Sequence, residues 1–367
     1  MNEIRKGVEF RIYPNKKQRD FINQTLGCCR LIYNIGLNAK EDAYHNGQRL
    51  SFKQTSSMLT QLKHSEEYSF LKEVDSVALQ QSLRDLDSAY NNFFAKRSNL
   101  PKYKSKKDHS QTYRTLNKKK THIHFVGKYL KLPKMGYVKV KQTMEVGKIH
   151  FVTIKKTSTN KYYAILNVEF EPKFKQSNGK QIGIDVGLKD FYTDSYGNKI
   201  KNPKFLEKQE KKIRREQRRL FKKQKGSSNR EKQRIKLARI HEKITNQRND
   251  FLQKESTRLV RENQTICIED LNIEGMLDKM KLGKAITSAS WLSFYHMLEY
   301  KATWYGNEII KVPMKYPSSQ ICSRCGNKNS KVRNLAVRKW ECPICHVIHD
   351  RDVNASINIL KKGLSIA

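Results

Sequence analysis

The N-terminal half of the chain changes from a strand-like to a helix-like and back to a strand-like hydrophobic pattern. Val8, Phe10 and Ile12 alternate with charged residues and predict a half-buried strand that ends at Pro14. Apolar residues then recur at helical spacing from 16 to about 94, which predicts a small helical domain. Short alternating runs between about 121 and 171, separated by Gly and Pro, predict a small antiparallel barrel. Since the opening strand has the same pattern, we expect it to pair into this barrel, with the helical segment as an insertion.

The C-terminal half mixes apolar strands with helices. A polar linker at 173–180 precedes predicted strands at 182–184, 191–193, 265–268 and 309–312. Residues 205–260 are predicted to be almost continuously helical, with a break near 225–229, and an apolar helix and a final helix are predicted around 291–300 and 352–361. The fold class is therefore predicted to be α+β with several domains.

The net charge of the chain is the feature that points to a partner. Lys and Arg number 74 against 35 Asp and Glu, a formal charge of +39 that repels itself unless a polyanion neutralises it. A nucleic-acid partner is the first hypothesis, and 17 Tyr, 15 Phe and 3 Trp exclude a wholly disordered basic tail. The sequence contains no run of roughly 18 apolar residues and no signal-peptide core, so a cytosolic location is expected.

Two basic segments are candidate nucleic-acid contacts. Residues 204–248 contain 18 Lys or Arg against 5 Glu, and the run RREQRR at 214–219 is too one-sided for a surface covered by salt bridges. The loop at 94–114 interleaves basic and aromatic residues. The candidate contacts in the two segments are Lys102, Tyr103, Lys104, Arg214, Arg215, Arg218 and Arg219. The alternative, a pair of solvated charged helices, remains open for the first segment.

Four of the seven cysteines form a metal-binding pattern. Cys322 and Cys325 make one C-x-x-C pair, Cys342 and Cys345 make a second, and 16 residues separate the pairs. Four thiolates at this spacing can close a tetrahedron around zinc, which predicts a structural zinc ribbon with no ligand position left for substrate. His346 and His349 are interpreted as ordinary loop histidines.

Three acidic residues stand where the local structure would hold them rigidly. Asp185 and Glu269 each end an apolar strand, and Asp352 opens the final helix. Each alone has an ordinary explanation as a turn or helix cap. Together they would suit two Mg²⁺ ions, because hard carboxylate oxygens bind Mg²⁺ and a metal pair activates water against a phosphodiester. The neighbouring Asp190, Asp194, Asp270 and Asp350 are assigned to turns or supporting positions.

At these residues the chain resembles a known family. The segments IGIDVGLKDFYTDSYG, ICIEDLNIEGM, CSRCG…CPICH and HDRDVNASINIL, in this order, resemble the TnpB (OrfB) family of insertion-sequence proteins, as do FRIYPNKKQ…CCRLIYNIGL and PKYKSKK. These are RNA-guided DNA nucleases similar to type V CRISPR effectors. The resemblance implies that Asp185, Glu269 and Asp352 are the catalytic triad of a RuvC-type, RNase H-like nuclease and that the four cysteines bind one structural zinc.

The same resemblance implies a domain order and partners. It predicts a wedge β-barrel (1–14 and 115–178), a helical recognition domain (15–114), a RuvC-like nuclease domain (179–317 and 347–367) and a zinc ribbon (318–346). The implied partners are a guide RNA from the transposon end, double-stranded target DNA beside a short motif, and a partner transposase of the same element. Gln80 and Gln81, on a helix of the recognition domain, have the chemistry to recognise adenine edges in that motif.

Two competing functions are kept. His122-Ile123-His124 spells the His-hydrophobic-His element of a single-metal tyrosine transposase, although such triplets arise readily in strands and this class leaves the three acids unexplained. An RNA-guided repressor that binds DNA without cutting is the second alternative, and the presence of all three acids favours the nuclease over it.

Overall fold

The computed structural model describes residues 4–108, 110–118, 122–171, 178–271, 283–334 and 336–367. The chain divides into two compact units, residues 1–171 and 172–367. Most of the predicted linker at 173–180 lies outside the described residues.

The first unit contains one seven-stranded sheet. Its strands are β1 (Ile4–Tyr13), β2 (Ser110–Leu116), β3 (His124–Val126), β4 (Tyr129–Leu132), β5 (Gly136–Lys141), β6 (Ile149–Thr157) and β7 (Tyr162–Phe170). They lie in the order β2-β6-β7-β1-β5-β4-β3, all antiparallel. The predicted pairing of the opening strand is confirmed, because β1 pairs with β7 and β5. In the described residues β2 and β3 are the two edges, so the predicted antiparallel barrel is present as a half-barrel.

Three helices separate β1 from β2: α1 (Lys16–His45), α2 (Phe52–His64) and α3 (Ser76–Phe94). Asn15 and Ser51 cap α1 and α2, each with a glutamine that returns a hydrogen bond to the cap. Apolar residues of the helices, such as Ile22 and Leu79, share one core with sheet residues such as Phe10 and Val138. Sheet and helices therefore support each other.

Strand β2 includes residues 110–114, where the sequence predicts the end of a basic loop, so that prediction is wrong for this segment. Its inward side chains are Tyr113 and Thr115, which are 6% and 2% exposed. Thr115 donates its hydroxyl hydrogen bond to Asp75, the N-cap of α3, so a polar residue is buried with its partner.

The second unit contains a mixed five-stranded sheet. Its strands are β8 (Gln181–Val186), β9 (Asp190–Asp194), β10 (Lys199–Lys201), β11 (Thr265–Glu269) and β12 (Glu308–Val312), in the order β10-β9-β8-β11-β12. Strands β8, β11 and β12 are parallel, and the near-continuous apolar sequences of β8 and β11 fit burial on both faces.

The α-helices that the structure describes in this unit are α4 (Phe205–Phe221), α5 (Ser228–Glu262), α6 (Gly283–Ala289), α7 (Trp291–Tyr305) and α8 (Arg351–Leu364). The predicted break between the basic helices is confirmed, since α4 ends at Phe221 and α5 begins at Ser228. Between β12 and α8 the chain forms the two-stranded sheet of β13 (Lys339–Glu341) and β14 (Ile348–Asp350). Over the residues described, the chain has no helix with the length and apolarity needed to cross a membrane.

Candidate functional site

Parallel pairing brings two of the predicted acids to one edge of the sheet. Ile184 of β8 lies opposite Ile268 of β11, so Asp185 and Glu269 are the next residues on neighbouring strands. Both follow the buried parts of their strands and are half-buried. The carboxyl ends of parallel strands thus place the two side chains together.

Helix α8 brings the third acid to the same edge. Gly183 makes this possible, because a Cβ there would lie 2.2 Å from the backbone oxygen of Ser356. Gly363, two helical turns after Ser356 in α8, lies equally close to β11. A Cβ at this position would be 2.4 Å from Sγ of Cys267. With α8 packed directly on β8 and β11, Asp352 in its first turn lies over the strand ends.

Asp350, and not Asp352, caps the N-terminus of α8. The N-cap of α8 is Asp350, whose Oδ1 accepts the backbone N–H groups of Asp352 and Val353 at 3.1 and 3.2 Å. Asp350 also accepts a hydrogen bond from Lys199 at 2.7 Å. The Asp352 carboxylate is therefore not the cap.

Burial and the two neighbouring acids act on the charge of Asp185. Burial raises the pKa of Asp185 well above its usual range, and the nearby charges of Glu269 and Asp352 raise it further. The pKa of Glu269 is also raised, again mainly by burial. Carboxylates that resist being charged together are those whose charge a bound cation would stabilise.

Two contacts that sequence reasoning missed hold these acids. Ser318 donates its hydroxyl hydrogen bond to Oε1 of Glu269 at 2.5 Å. Arg338, on the segment between the cysteine pairs, lies 3.6 Å from Oδ1 of Asp352. Ser318 is 49 residues from Glu269 in sequence and Arg338 lies on a different element from Asp352, so no local pattern pointed to either contact.

The four cysteines form a compact cluster. Their sulfur atoms all lie within 4.8 Å of one another, and Cys322–Cys345 and Cys325–Cys342 are each 3.5 Å apart. This donor set and spacing fit a tetrahedral zinc ion. In the described part of the chain it is the one group of possible ligands this tightly convergent, so the three carboxylates are more widely spaced than the thiols.

The two cysteine knuckles have the same backbone geometry. Gly326 and His346 follow the second cysteine of each pair and adopt left-handed conformations, with φ of 78° and 56°. Each donates its N–H to the carbonyl of the first cysteine of its pair, at 2.9 and 3.0 Å. A tight turn therefore follows each knuckle, at Gly326 and at His346.

His349 is not the loop histidine that we expected. It lies in β14, is 8% exposed, and its ring centroid is 4.8 Å from that of Trp340. Its Nε2 is 3.0 Å from Sγ of Cys322, so it directly supports one of the four sulfurs.

Arginines of the RREQRR segment form salt bridges, although we expected the segment to be too one-sided in charge for them. Glu216 is fully buried, and its carboxylate contacts Arg215 at 3.3 Å, Arg219 at 3.1 Å and Lys236 at 3.4 Å. Arg214 pairs with Glu210 at 2.7 Å. The segment is therefore salt-bridged after all, although Arg214, Arg215 and Arg219 remain 53–67% exposed and Arg218 is exposed.

The other predicted contacts differ in their availability. Lys102 is exposed, while Tyr103 donates a hydrogen bond to Glu41 at 2.8 Å and Lys104 lies over the ring of Tyr33. Gln80 is exposed but Gln81 is 6% exposed, so only Gln80 presents its amide to solvent. The rings of His122 and His124 lie 4.6 Å apart at the edge strand β3, in the unit that does not contain the three acids.

The outer face of the half-barrel is a further basic and aromatic surface. Tyr13, Lys139, Tyr129 and Val126 lie opposite one another across β1, β5, β4 and β3, and Lys131 pairs with Tyr137 in the next row. Tyr13, Tyr129 and Tyr137 are 47–52% exposed. We call these six residues the tyrosine–lysine face. Single-strand alternation was visible in the sequence, but only the strand register joins the rows.

Comparison with known proteins places this combination of strand-end acids and a four-cysteine ribbon in a class of mobile-element proteins. Residues 165–280 match the OrfB, IS605-type family described as a probable transposase. Residues 291–359 match the Cas12f1-like TNB domain, and residues 1–49 match the OrfB helix-turn-helix domain, which here is β1 followed by the single long helix α1.

Full-length relatives identify the family. The chain is 39% identical to an RNA-guided DNA endonuclease of Streptomyces pristinaespiralis over all of this chain and 91% of the relative. It is 30% identical to the RNA-guided DNA endonuclease InsQ of Escherichia coli K12, over 98% of this chain and 92% of the relative. The chain belongs to the TnpB (OrfB, IS605-type) family.

A solved structure shares the fold. It is described as a Cas12f1–sgRNA–target DNA complex, covers 98% of this chain and 99% of its own, and has a TM-score of 0.59 at 14% identity. The predicted mixed α and β fold is confirmed at this level.

Proposed function

We propose that this protein is an RNA-guided DNA endonuclease that hydrolyses target DNA at Asp185, Glu269 and Asp352. The observation that carries the proposal is the meeting of these three half-buried acids at one sheet edge, where burial and mutual repulsion raise the pKa of Asp185. The family and the names of its full-length relatives support the same activity. In this proposal 179–317 and 347–367 form a RuvC-type, RNase H-like domain, and the half-barrel with its helices forms the wedge and recognition domains.

The metals of the proposed site follow from its donors. Asp185, Glu269 and Asp352 would hold two Mg²⁺ ions, which when bound supply a Lewis acid and lower the pKa of a bound water. The chain's own groups hold the acids in place, with Ser318 orienting Glu269 and Asp350 capping the helix that carries Asp352. The four cysteines would hold one structural zinc.

The proposed nucleic-acid contacts lie on both units. Guide pairing reads the target sequence, so the protein needs mainly backbone contacts and stacking platforms. Arg214, Arg215, Arg218 and Arg219 on α4 and the tyrosine–lysine face supply exposed cations and rings. Lys102, Tyr103, Lys104, Gln80 and Gln81 are proposed for the target-adjacent motif, with Gln80 the more accessible amide. Guide RNA and target DNA would be met in the bacterial cytosol, where we place the reaction.

The decisive experiment is Asp185→Ala in the protein purified with the RNA that it binds in cells carrying the transposon end. Plasmids bearing the guide-complementary target beside randomised flanking DNA serve as substrate. We expect RNA and DNA binding to survive and cleavage to stop, because the site loses one of its metal ligands. Asp250→Ala, an exposed acid of α5 paired with Lys254, is the control and should cut normally. Equal cutting by Asp185→Ala would refute the proposal, and absence of cutting by the unmutated protein would favour the repressor.

A further inference from the structure

Tyr295 of α7 has a buried hydroxyl that lacks a partner. The side chain is 7% exposed, and its hydroxyl oxygen is buried without a hydrogen bond from the described residues. A buried tyrosine hydroxyl usually has a partner, since leaving it unpaired costs free energy. The hydroxyl is thus a buried donor that lacks an acceptor among the described residues.

The surroundings of this hydroxyl point to the acid site. Tyr295 packs in the same core as Ile184 and Ile268, the residues directly before Asp185 and Glu269. Besides burial, the charges that act on the phenol are those of Glu269, then Asp185, then Asp270. The hydroxyl is therefore a neutral donor that lies among groups that, when charged, only accept.

Glu269 has a place for such a donor. Ser318 occupies Oε1 of the Glu269 carboxylate, and no described residue donates a hydrogen bond to Oε2. Asn358 of α8 fixes Ser318 in turn, through its side-chain amide and the Ser318 carbonyl at 2.8 Å. One side of the carboxylate is thus held through two well-packed residues, while Tyr295 is a buried donor without a described partner on which the charge of Glu269 acts.

We propose that Tyr295 is a positioning residue for Glu269, whose hydroxyl donates to this carboxylate, directly or through one ordered water, when a divalent cation holds the three acids charged. This inference rests on the proposed function, because it needs the acids to bind metal. The cation favours the charged carboxylate, and a charged acceptor strengthens the hydrogen bond that the phenol can donate. Tyr295 would not touch the DNA, since its hydroxyl has no exposed surface.

Tyr295→Phe tests this role because it removes only the oxygen. Tyr300→Phe is the matched control, since it removes a hydroxyl from the same helix that contacts Gln253 instead. The first measurement is Mn²⁺ binding to the full-length, zinc-loaded, RNA-free chain by equilibrium dialysis. The second is the thermal midpoint without Mn²⁺, and the third is the Mg²⁺ concentration that half-saturates single-turnover cleavage.

The expected results separate positioning from packing. For Tyr295→Phe, Mn²⁺ affinity should fall about tenfold and the half-saturating Mg²⁺ concentration should rise by a similar factor, the effect of losing a hydrogen bond to a charged group. The metal-free midpoint should stay the same or rise, because an unpaired buried hydroxyl is removed. Tyr300→Phe should leave both metal responses unchanged.

Different results would overturn the role of Tyr295 and the proposed function. If Tyr295→Phe binds Mn²⁺ and responds to Mg²⁺ as the unmutated chain does, the inference is overturned, whatever happens to its thermal midpoint. If Asp185→Ala retains Mn²⁺ binding and cleavage, the metal site itself is wrong and the proposed function fails first.

Discussion

Lys301 of α7 is a buried lysine whose charged end is fully hydrogen-bonded. Its side chain is 4% exposed, and its Nζ donates to the Gln253 carbonyl at 2.9 Å and to the hydroxyls of Ser256 and Thr257 at 2.7 and 2.8 Å. The three acceptors lie on α5 and match the three hydrogens of the ammonium group. Burial lowers the pKa of Lys301 to about 8.

The lowered pKa of Lys301 predicts a pH-dependent stability. The folded pKa is below the unfolded one, so burying the charged lysine opposes folding below about pH 8, and this cost disappears as the pH rises towards about 10.4. Lys301→Met removes the titration. The free energy of unfolding of the natural chain relative to Lys301→Met should therefore rise by about 3 kcal/mol from pH 7 to pH 10.5. Urea unfolding at several pH values measures this difference.

An exposed lysine provides the control for this titration. Lys254 of α5 has a side chain that is 72% exposed. Lys254→Met should therefore give a difference from the natural chain that hardly changes with pH. A pH-independent difference for Lys301→Met as well would show that its charge is not buried at a cost.

At the scale of elements, the contact between α8 and β8 builds the acid site. Gly183→Ala would place a Cβ 2.2 Å from the Ser356 oxygen and 2.7 Å from the Leu360 nitrogen, both backbone atoms that cannot rotate away. The helix must shift, which carries Asp352 away from Asp185. We expect the free energy of unfolding to fall by about 3 kcal/mol and cleavage to drop even at temperatures where the variant is folded.

Gly27→Ala is the matched control for this substitution. Gly27 lies in α1, and nothing lies within 4 Å of its added Cβ. The change should stabilise the chain slightly, because alanine favours helix over glycine by about 0.5–1 kcal/mol. Thermal unfolding and cleavage assays of both variants check the pair. Normal cleavage by Gly183→Ala would mean that the spacing of Asp352 and Asp185 is not set by this contact.

The hydrophobic pattern predicted those strands and helices whose apolar residues recur at the period of the element. The strands that end at Asp185 and Glu269, the opening strand and the break between α4 and α5 all followed from such patterns. Strand β2 did not, because its buried face consists of Tyr113 and Thr115 and depends on a hydrogen bond to Asp75 forty residues away. Whether the barrel closes could not be predicted either, since it depends on whether the two edge strands meet in space.

The residues at the acid site likewise fall into those that the sequence predicts and those that only the fold brings together. Asp185, Glu269 and Asp352 could each be found from position, as polar residues at the ends of apolar strands or the start of a helix. Ser318 and Arg338 could not, since each reaches an acid through tertiary packing. The role that we propose for Tyr295 likewise depends on packing that no local pattern shows. The buried Glu216 was missed for a related reason: one acid between four arginines gave no sign that it would be enclosed by Gln233 and Lys236.

The charge of the whole molecule sets its behaviour towards nucleic acid. Ion pairs such as those around Glu216 neutralise part of the basic surface, yet 74 basic residues against 35 acidic ones leave the large excess exposed. Binding should therefore release counterions and weaken steeply with salt. On the tyrosine–lysine face, cations and rings alternate, so the two kinds of contact can be separated there.

The tyrosine–lysine face predicts two different effects of substitution on RNA affinity. Replacing Lys131 and Lys139 by Gln removes two phosphate contacts, so the slope of log affinity against log salt should flatten by about 1.4, at about 0.7 per phosphate of a single strand. Replacing Tyr129 and Tyr137 by Ser removes stacking, which costs about 1–3 kcal/mol per base without changing the slope. Fluorescence anisotropy with a single-stranded RNA 20-mer, from roughly 50 to 400 mM salt, distinguishes them. Equal slopes and affinities in all variants would remove this face from the RNA path and leave α4 as the principal cationic contact.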